Sequence, residues 1–597
     1  MNATDILQSA RKVGVLREVD YFFASQLLGL VDCNLPSVAL AVAALSRAVG
    51  EGDTCLALAR QAGQTLFARD ASAAEGGQAF AGLPAPSLAE WRAALAGSGL
   101  VAPSPAAPAG YPLVLDASHR LYFARHFNHE QRVATALATR DGISRYAGAS
   151  PAAIEAALDR EFPPAAHDPD QRSAAQLALT RPFAVITGGP GTGKTTTVAR
   201  LLALMAALGR PGDPPAVLAA PTGKAANRLV ESISAAKEQL RASGTPAADL
   251  ARIPDEARTL HRLLGMRQGR ALPRYHAGNP LPPGVLVVDE ASMVDLTMMA
   301  RVLAALPADG RLVLLGDADQ LASVEAGAVL GDLCEAARAR GGRSFVSALT
   351  RSHRFRGDGG IGRLANAIRA GNSAATQAAL TDDPDTRLER GGLTALATRA
   401  VAAWRSCFEA VNPADALEGL SRFRVLCALR DGADGVLGVT RLVEQALAAA
   451  SLIAPGERYY QGRPLLVTAN DYTVGLFNGD VGIVWPDSNG AMRAWFPDKA
   501  GAPRAVPTNR LPAHETAFAM TVHKAQGSEF DEIALVLPDH ASPVLSRELL
   551  YTAVTRARRK VVIHATDATL ACCLARPVAR TSGLRDALLW HLDSNHG

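Results

Sequence analysis

The chain has 597 residues and 62.3 kDa, of which 48% are hydrophobic and 20% charged, enough apolar surface for several cores and no signature of disorder. A formal net charge of +4 excludes a whole-chain basic field, although only seven of the 61 basic residues are lysines, which makes each lysine worth inspection. Seven cysteines without a C-x-x-C spacing exclude a disulfide framework and the common zinc sites. No apolar run nears the roughly 18 residues of a membrane span, and the first residues hold Asp5 with no leader-like core, so a cytoplasmic protein is expected.

Residues 1–110 are rich in Ala and Leu at helical spacing (Val38, Leu40, Val42, Leu45) and read as a helical N-terminal domain. A Pro-rich stretch, 100–112, leads into a predicted hairpin from Tyr111 to Phe123, and 111–165 reads as hairpin plus linker. His126 and His129, three apart with no cysteine nearby, read as surface histidines. A second Pro-rich stretch, Phe162 to Pro169, marks a boundary. Short apolar strands then alternate with helices. They are Phe183–Thr187, Ala216–Ala219, Val285–Val288, Leu312–Leu315, Phe345–Leu349, Phe423–Leu429, Ile533–Leu537 and Val561–His564. This alternation predicts an α/β fold with two parallel sheets. The first spans 166–350, with a small insert about 231–282. The second spans 351–454 and 513–597, and is interrupted at 455–512 by Gly- and Pro-punctuated β runs that read as a small β-barrel.

The chemistry sits at the strand ends. Gly188-Gly189-Pro190-Gly191-Thr192-Gly193-Lys194-Thr195 is a complete G-x-x-x-x-G-K-[ST] between a strand and a helix that continues at Thr196. Its backbone N–H groups and the helix N-terminus suit phosphates, Lys194 suits the β- and γ-phosphates of ATP, and the Thr195 hydroxyl suits Mg²⁺. The strand 285–288 ends in Asp289-Glu290, an acidic pair suited to Mg²⁺ and to proton removal from an attacking water. Gln320, after the strand 312–315, has an amide able to sense a γ-phosphate.

Further strings set these residues in order: Ala220-Pro-Thr-Gly-Lys-Ala-Ala226, Thr259-Leu-His-Arg-Leu-Leu-Gly265, Gly316-Asp-Ala-Asp-Gln320, Arg351-Ser-His-Arg-Phe355, Thr521-Val-His-Lys-Ala-Gln-Gly-Ser-Glu-Phe530 and Leu550-Tyr-Thr-Ala-Val-Thr-Arg-Ala557. The series resembles the superfamily 1 helicases. The form of the 220–226 string, Phe477-Asn-Gly-Asp-Val-Gly482 and Tyr275-His-Ala-Gly-Asn-Pro280 are similar to its RecD branch. The resemblance implies two RecA-like P-loop motor domains, a small β-barrel (SH3-like) insert and an α-helical N-terminal domain that docks on partners. It also implies ATP hydrolysis with Mg²⁺, 5′→3′ movement on single-stranded DNA, and a heterotrimer with RecB- and RecC-like subunits acting on double-stranded DNA ends in repair and recombination. By motif match it assigns Arg354 and Arg556 to the γ-phosphate, Gln171 to the adenine and Glu529 to the ribose. Thr222, Lys224, His261, Thr521, His523 and Lys524 match positions facing DNA. A free-standing DNA or RNA helicase of the same superfamily is the alternative. A nuclease core that needs an acid two residues before a lysine is absent at all seven lysines, so cleavage by the complex is expected in another subunit.

Overall fold

The computed structural model describes the chain except residues 1–2, 70–78, 107, 143, 145, 164–167, 211, 268, 271, 283, 342–344, 355–358, 391, 455, 472, 499–500, 541 and 595–597. The predicted boundary at 162–169 lies partly outside the described residues, as do Phe355 of the 351–355 string and Lys499.

The first parallel sheet has six strands in the order Val346–Leu349, Phe183–Gly188, Arg311–Gly316, Val285–Val288, Val217–Ala220, Ala257–Thr259. Its inner strands are apolar on both faces because helices cover both. Val185, Leu312 and Leu314 enter one core, whereas Ala184, Ile186 and Val313 enter the other. The second parallel sheet runs Thr386–Glu389, Ala557–His564, Phe530–Val536, Phe423–Cys427, Ala519–Thr521. Inserted within the second sheet, between strands Phe423–Cys427 and Ala519–Thr521 in sequence, lies a five-stranded antiparallel sheet, ordered Pro503–Pro507, Met492–Pro497, Val481–Pro486, Pro464–Val467, His514–Thr516. The strand order leaves 503–507 and 514–516 at its two edges.

Three strands of the parallel sheets escaped the sequence reading: 257–259, 386–389 and 519–521. All are edge strands of three or four residues, two with charged positions, so none presents the apolar run that marks a buried strand. Strand 257–259 joins the first sheet and helix Gly223–Ala242 is continuous, so most of the expected insert at 231–282 is a crossover of that sheet.

The front domain differs from a purely helical one. The hairpin Leu113–Leu115/Arg120–Phe123 pairs with strand Cys55–Ala57, closing a three-stranded antiparallel sheet over helices Glu18–Gly29 and Pro36–Gly50. The following segment is no linker: Val133, Ala134 and Leu137 of helix Ala124–Ala138 are buried in a core of the first parallel sheet. Leu584, Leu588 and Leu592 of the last helix, Leu584–Ser594, join that same core rather than the second sheet. His126 is buried, not on the surface, and burial pushes its imidazole down to about 4. All seven cysteines are free. Among the described residues no cluster of three or more metal-binding side chains forms, and no helix is long and apolar enough to cross a membrane.

Candidate active site

Strand Phe183–Gly188 carries the chain to the carboxyl edge of the first sheet, where loop 189–193 turns into helix Lys194–Leu208. The turn needs glycine: Gly191 and Gly193 have φ of +77° and +82°. A Cβ at 191 would lie 2.2 Å from Cβ of Arg354, and one at 193 would lie 2.5 Å from Nε2 of Gln171. Lys194 Nζ donates to the carbonyls of Gly188 (2.5 Å) and Gly189 (3.1 Å), folded onto its own loop. Thr192 Oγ1 donates to Gly189 O at 2.9 Å. Buried Gln171 donates to Thr192 O at 3.3 Å, which places it at the rim of this loop.

The loop opens onto a cavity of about 560 Å³ between the two sheets. From the first sheet come Lys194, Thr195, Thr196, Asp289, Glu290 and Gln320. Gln171, Arg354, Glu529 and Arg556 also line it, as do Arg228 and Asp317. The sequence-predicted nucleotide residues therefore converge in one place. Burial, then the adjacent Glu290, push the Asp289 carboxyl up to about 6. Glu290 adopts φ +51°, a left-handed conformation uncommon outside glycine, and its N–H donates to Asp289 Oδ1 at 2.9 Å. A half-buried carboxylate facing a like charge, in the same cavity as a threonine hydroxyl at a helix start, fits a hard divalent cation of the Mg²⁺ type.

Gln320 is held back by Asp317: its Nε2 donates to Oδ2 at 3.0 Å, and Tyr551 from the second motor donates to the same oxygen at 3.1 Å. Asp317 is buried and its carboxyl is pushed up by burial. Arg354 does not arrive from the far domain as expected. Strand 346–349 and the bond from His353 N to Gly191 O (2.7 Å) seat its segment on the phosphate loop. Across the cleft Glu529 receives Arg354 (2.7 Å), Arg558 (3.2 Å) and Arg228. Burial alone would raise the Glu529 carboxyl, but the guanidiniums of Arg228, Arg354 and Arg556 outweigh it and hold it at about 2. Arg556 is buried and donates to the carbonyls of Thr552 (3.2 Å) and Ser528 (3.4 Å). Arg228, Asp317 and Tyr551 went unassigned in the sequence. The last two lie inside quoted motifs, whereas Arg228 sits one helical turn beyond Lys224 with no motif to flag it.

The residues matched to the DNA face fall into two groups. On the first motor, Thr222 caps helix 223–242 by accepting from Ala225 N (3.2 Å), and His261 is exposed at the end of helix Leu260–Leu263. Lys224 points toward the β insert: Asp480 lies near it, and burial pushes its ammonium down to about 8. On the second motor, Thr521 accepts from Lys524 N (3.3 Å), and burial lowers the pKa of His523. Lys524 pairs with Glu515, which also receives Arg430 at 3.3 Å. Beside Lys524 runs a cleft of about 780 Å³ bearing Arg430, Arg458, Tyr459, Asn478 and Asn509.

Comparison with known proteins gives three family matches. A family described as "RecBCD enzyme subunit RecD, N-terminal domain" matches residues 12–122, an "AAA domain" matches 171–326 and a "UvrD-like helicase C-terminal domain" matches 516–564. The RecBCD enzyme subunit RecD of Mycobacterium tuberculosis H37Rv is 41% identical, covering 98% of this chain and 97% of its own length. This chain belongs to the RecD family. The Haemophilus influenzae RecD is 34% identical over 97% of this chain and 98% of its own length. The solved Bacteroides Pif1 helicase bound to single-stranded DNA covers 67% of this chain and 93% of its own, at 18% identity and a TM-score of 0.38. A RecD-family chain is an ATP-dependent helicase subunit.

Proposed function

We propose that this chain is the 5′→3′ motor of a RecBCD-type exodeoxyribonuclease V, hydrolysing ATP to move along single-stranded DNA at broken duplex ends in the cytoplasm. The observation that carries the reading is the single cavity uniting Lys194, Thr195, Asp289, Glu290 and Gln320 with Arg354 and Arg556. On nucleotide entry Lys194 exchanges the carbonyls of Gly188 and Gly189 for the β- and γ-phosphates. Glu290 takes the proton of the attacking water, and Arg354 and Arg556 stabilise the charge that develops on the γ-phosphoryl group. Thr195 and Asp289 would hold Mg²⁺, which neutralises phosphate charge. Gln320 leaves Asp317 to read the γ-phosphate, and Gln171 and Glu529 serve the adenine and the ribose.

The DNA path crosses Thr222, His261, Thr521, His523 and Lys524. The basic and aromatic cleft beside Lys524, with the SH3-like insert as its wall, continues it. Lys224 steadies the insert from the first motor. The front domain exposes Val19 (59%), Phe22 (52%) and Leu30 (74%) with Phe23, Val31 and Leu35, an apolar surface that supports docking on RecB- and RecC-like subunits. Strand separation on duplexes with only a 5′ or only a 3′ tail tests the reading, using the chain alone and in its complex. Unwinding from 5′ tails that disappears with Lys194→Gln is expected. Unwinding only from 3′ tails would overturn the polarity, and full ATP turnover by Lys194→Gln would overturn the site.

A further inference from the structure

Between helix Asp567–Ala575 of the second motor and helix Leu584–Ser594 on the first, residues 576–583 run as a strap across the molecule. The strap is anchored to the front domain: Thr581 N donates to Asp53 Oδ1 at 2.7 Å, and Thr54 N donates to Thr581 O at 3.0 Å. From it Arg580 reaches the loop that follows Gln320. Its Nη1 donates to the carbonyls of Glu325 and Gly327, both at 2.9 Å, and its Nη2 donates to the carbonyl of Ser323 at 2.5 Å. The loop reinforces this geometry, since Ser323 Oγ donates to the same carbonyls of Glu325 (2.8 Å) and Gly327 (3.0 Å), and Gly327 N donates to Gly52 O at 2.9 Å. No carboxylate forms an ion pair with Arg580 among the described residues, so a half-buried guanidinium is committed to three convergent carbonyls, a use that a planar fork serves and an ammonium does not.

The other end of the same loop belongs to the second motor. The N–H of Leu321, next to Gln320, donates to Thr552 Oγ1 at 2.8 Å, and its carbonyl accepts from Gln526 Nε2 at 3.0 Å. Loop 321–327 is thus pinned at one end to the strap and the front domain, and at the other to the motor that moves. A loop held at both ends transmits a displacement. If its far end were loose, motion at Leu321 would be absorbed in the loop instead of shifting the amide of Gln320.

We infer that Arg580 is a positioning residue for ATP hydrolysis: by clamping loop 321–327 it fixes where Gln320 stands when the second motor closes. The inference rests on the assignment of Gln320 to the γ-phosphate. It reaches beyond the motifs, since Arg580 lies outside all of them and 260 residues from Gln320 in sequence.

The test is DNA-stimulated ATP hydrolysis by the full chain carrying Arg580→Ala, Arg580→Lys, Gln320→Ala, or Arg580→Ala with Gln320→Ala, with melting temperatures recorded for each. Arg580→Ala is expected to lower kcat about tenfold while KM for ATP stays within about twofold, because binding of the nucleotide does not use the loop. Arg580→Lys should recover only part of the turnover. The double variant should be no slower than Gln320→Ala alone, since both changes remove one effect. Losses that multiply in the double variant, a change in KM matching that in kcat, or unaltered turnover in Arg580→Ala would overturn the inference. Should Arg580→Ala not fold, the comparison passes to Arg580→Lys, made with and without Gln320→Ala, and full turnover in a folded Arg580→Lys overturns it. Unaltered turnover in Gln320→Ala would instead overturn the γ-phosphate assignment on which the inference rests.

Discussion

The charge cluster at Glu529 gives the sharpest prediction. In the chain without nucleotide, Glu529 occupies Arg354, a guanidinium assigned to the γ-phosphate. Its carboxyl is held at about 2 against an ordinary 4.5, so the cluster favours the ionised form by roughly 3 kcal/mol. Three guanidiniums share that interaction, which leaves about 1 kcal/mol for ATP to overcome when it takes Arg354 away. Glu529→Gln removes the competitor, and the affinity for ATPγS should rise about fivefold. ADP lacks the γ-phosphate and should change less than about twofold. Equilibrium titration of both nucleotides against wild type and variant measures the ratio. The sign with pH also follows: a carboxyl depressed to about 2 is ionised throughout the working range, so the difference should be the same at pH 6 and pH 8. Parallel weakening of ADP and ATPγS would refute the argument, and would show that the ribose contact proposed for Glu529 outweighs its hold on Arg354.

Three further outcomes are expected. Gly191→Ala places a Cβ against that of Arg354 at a φ of +77°, so DNA-stimulated turnover should fall at least about a hundredfold with an unchanged circular dichroism spectrum; retention of a tenth of the activity would contradict the loop geometry. Trp404 is fully buried between Phe423 (5.1 Å) and Phe518 (5.4 Å), and Trp404→Ala should cost about 3–5 kcal/mol, seen as early proteolytic cleavage within the second motor while the first stays protected. The carboxyl of Asp332 is pushed up to about 7 by burial, with Glu130 and Glu335 adding to it. Folding therefore favours its neutral form, and that contribution fades as pH rises through 7. Asp332→Asn should raise the melting temperature more at pH 8 than at pH 5.5, and equal shifts would exclude the titration.

What the sequence made legible follows a physical rule. Lys194, Asp289, Glu290 and Gln320 each stand at the carboxyl end of a buried strand whose apolar run announces it, so fold and chemistry were read from the same few residues. Arg354 was identified through its surrounding string, but its attachment was misjudged, because the bond from His353 to Gly191 joins residues 162 positions apart. Lys224 shares a motif with Thr222, yet turns toward Asp480 of the insert; the spacing on helix 223–242 could not tell which face meets another domain. The strap escaped altogether. Arg580 donates to backbone carbonyls, and a carbonyl leaves no trace in a sequence.

The contacts across the cleft explain how one site can both hold and release. Tyr551 to Asp317, Thr552 and Gln526 to Leu321, and Glu529 to Arg228 and Arg354 all join the two motors. The middle pair touches only the backbone of Leu321 and carries no charge, so an incoming anion does not compete for it. The outer contacts are different. Asp317 holds Gln320 and Tyr551, and Glu529 holds Arg354, so two carboxylates occupy groups that a γ-phosphate would use. Arg228 and Arg558 remain with Glu529 when Arg354 departs, which keeps that carboxylate compensated and makes the exchange reversible.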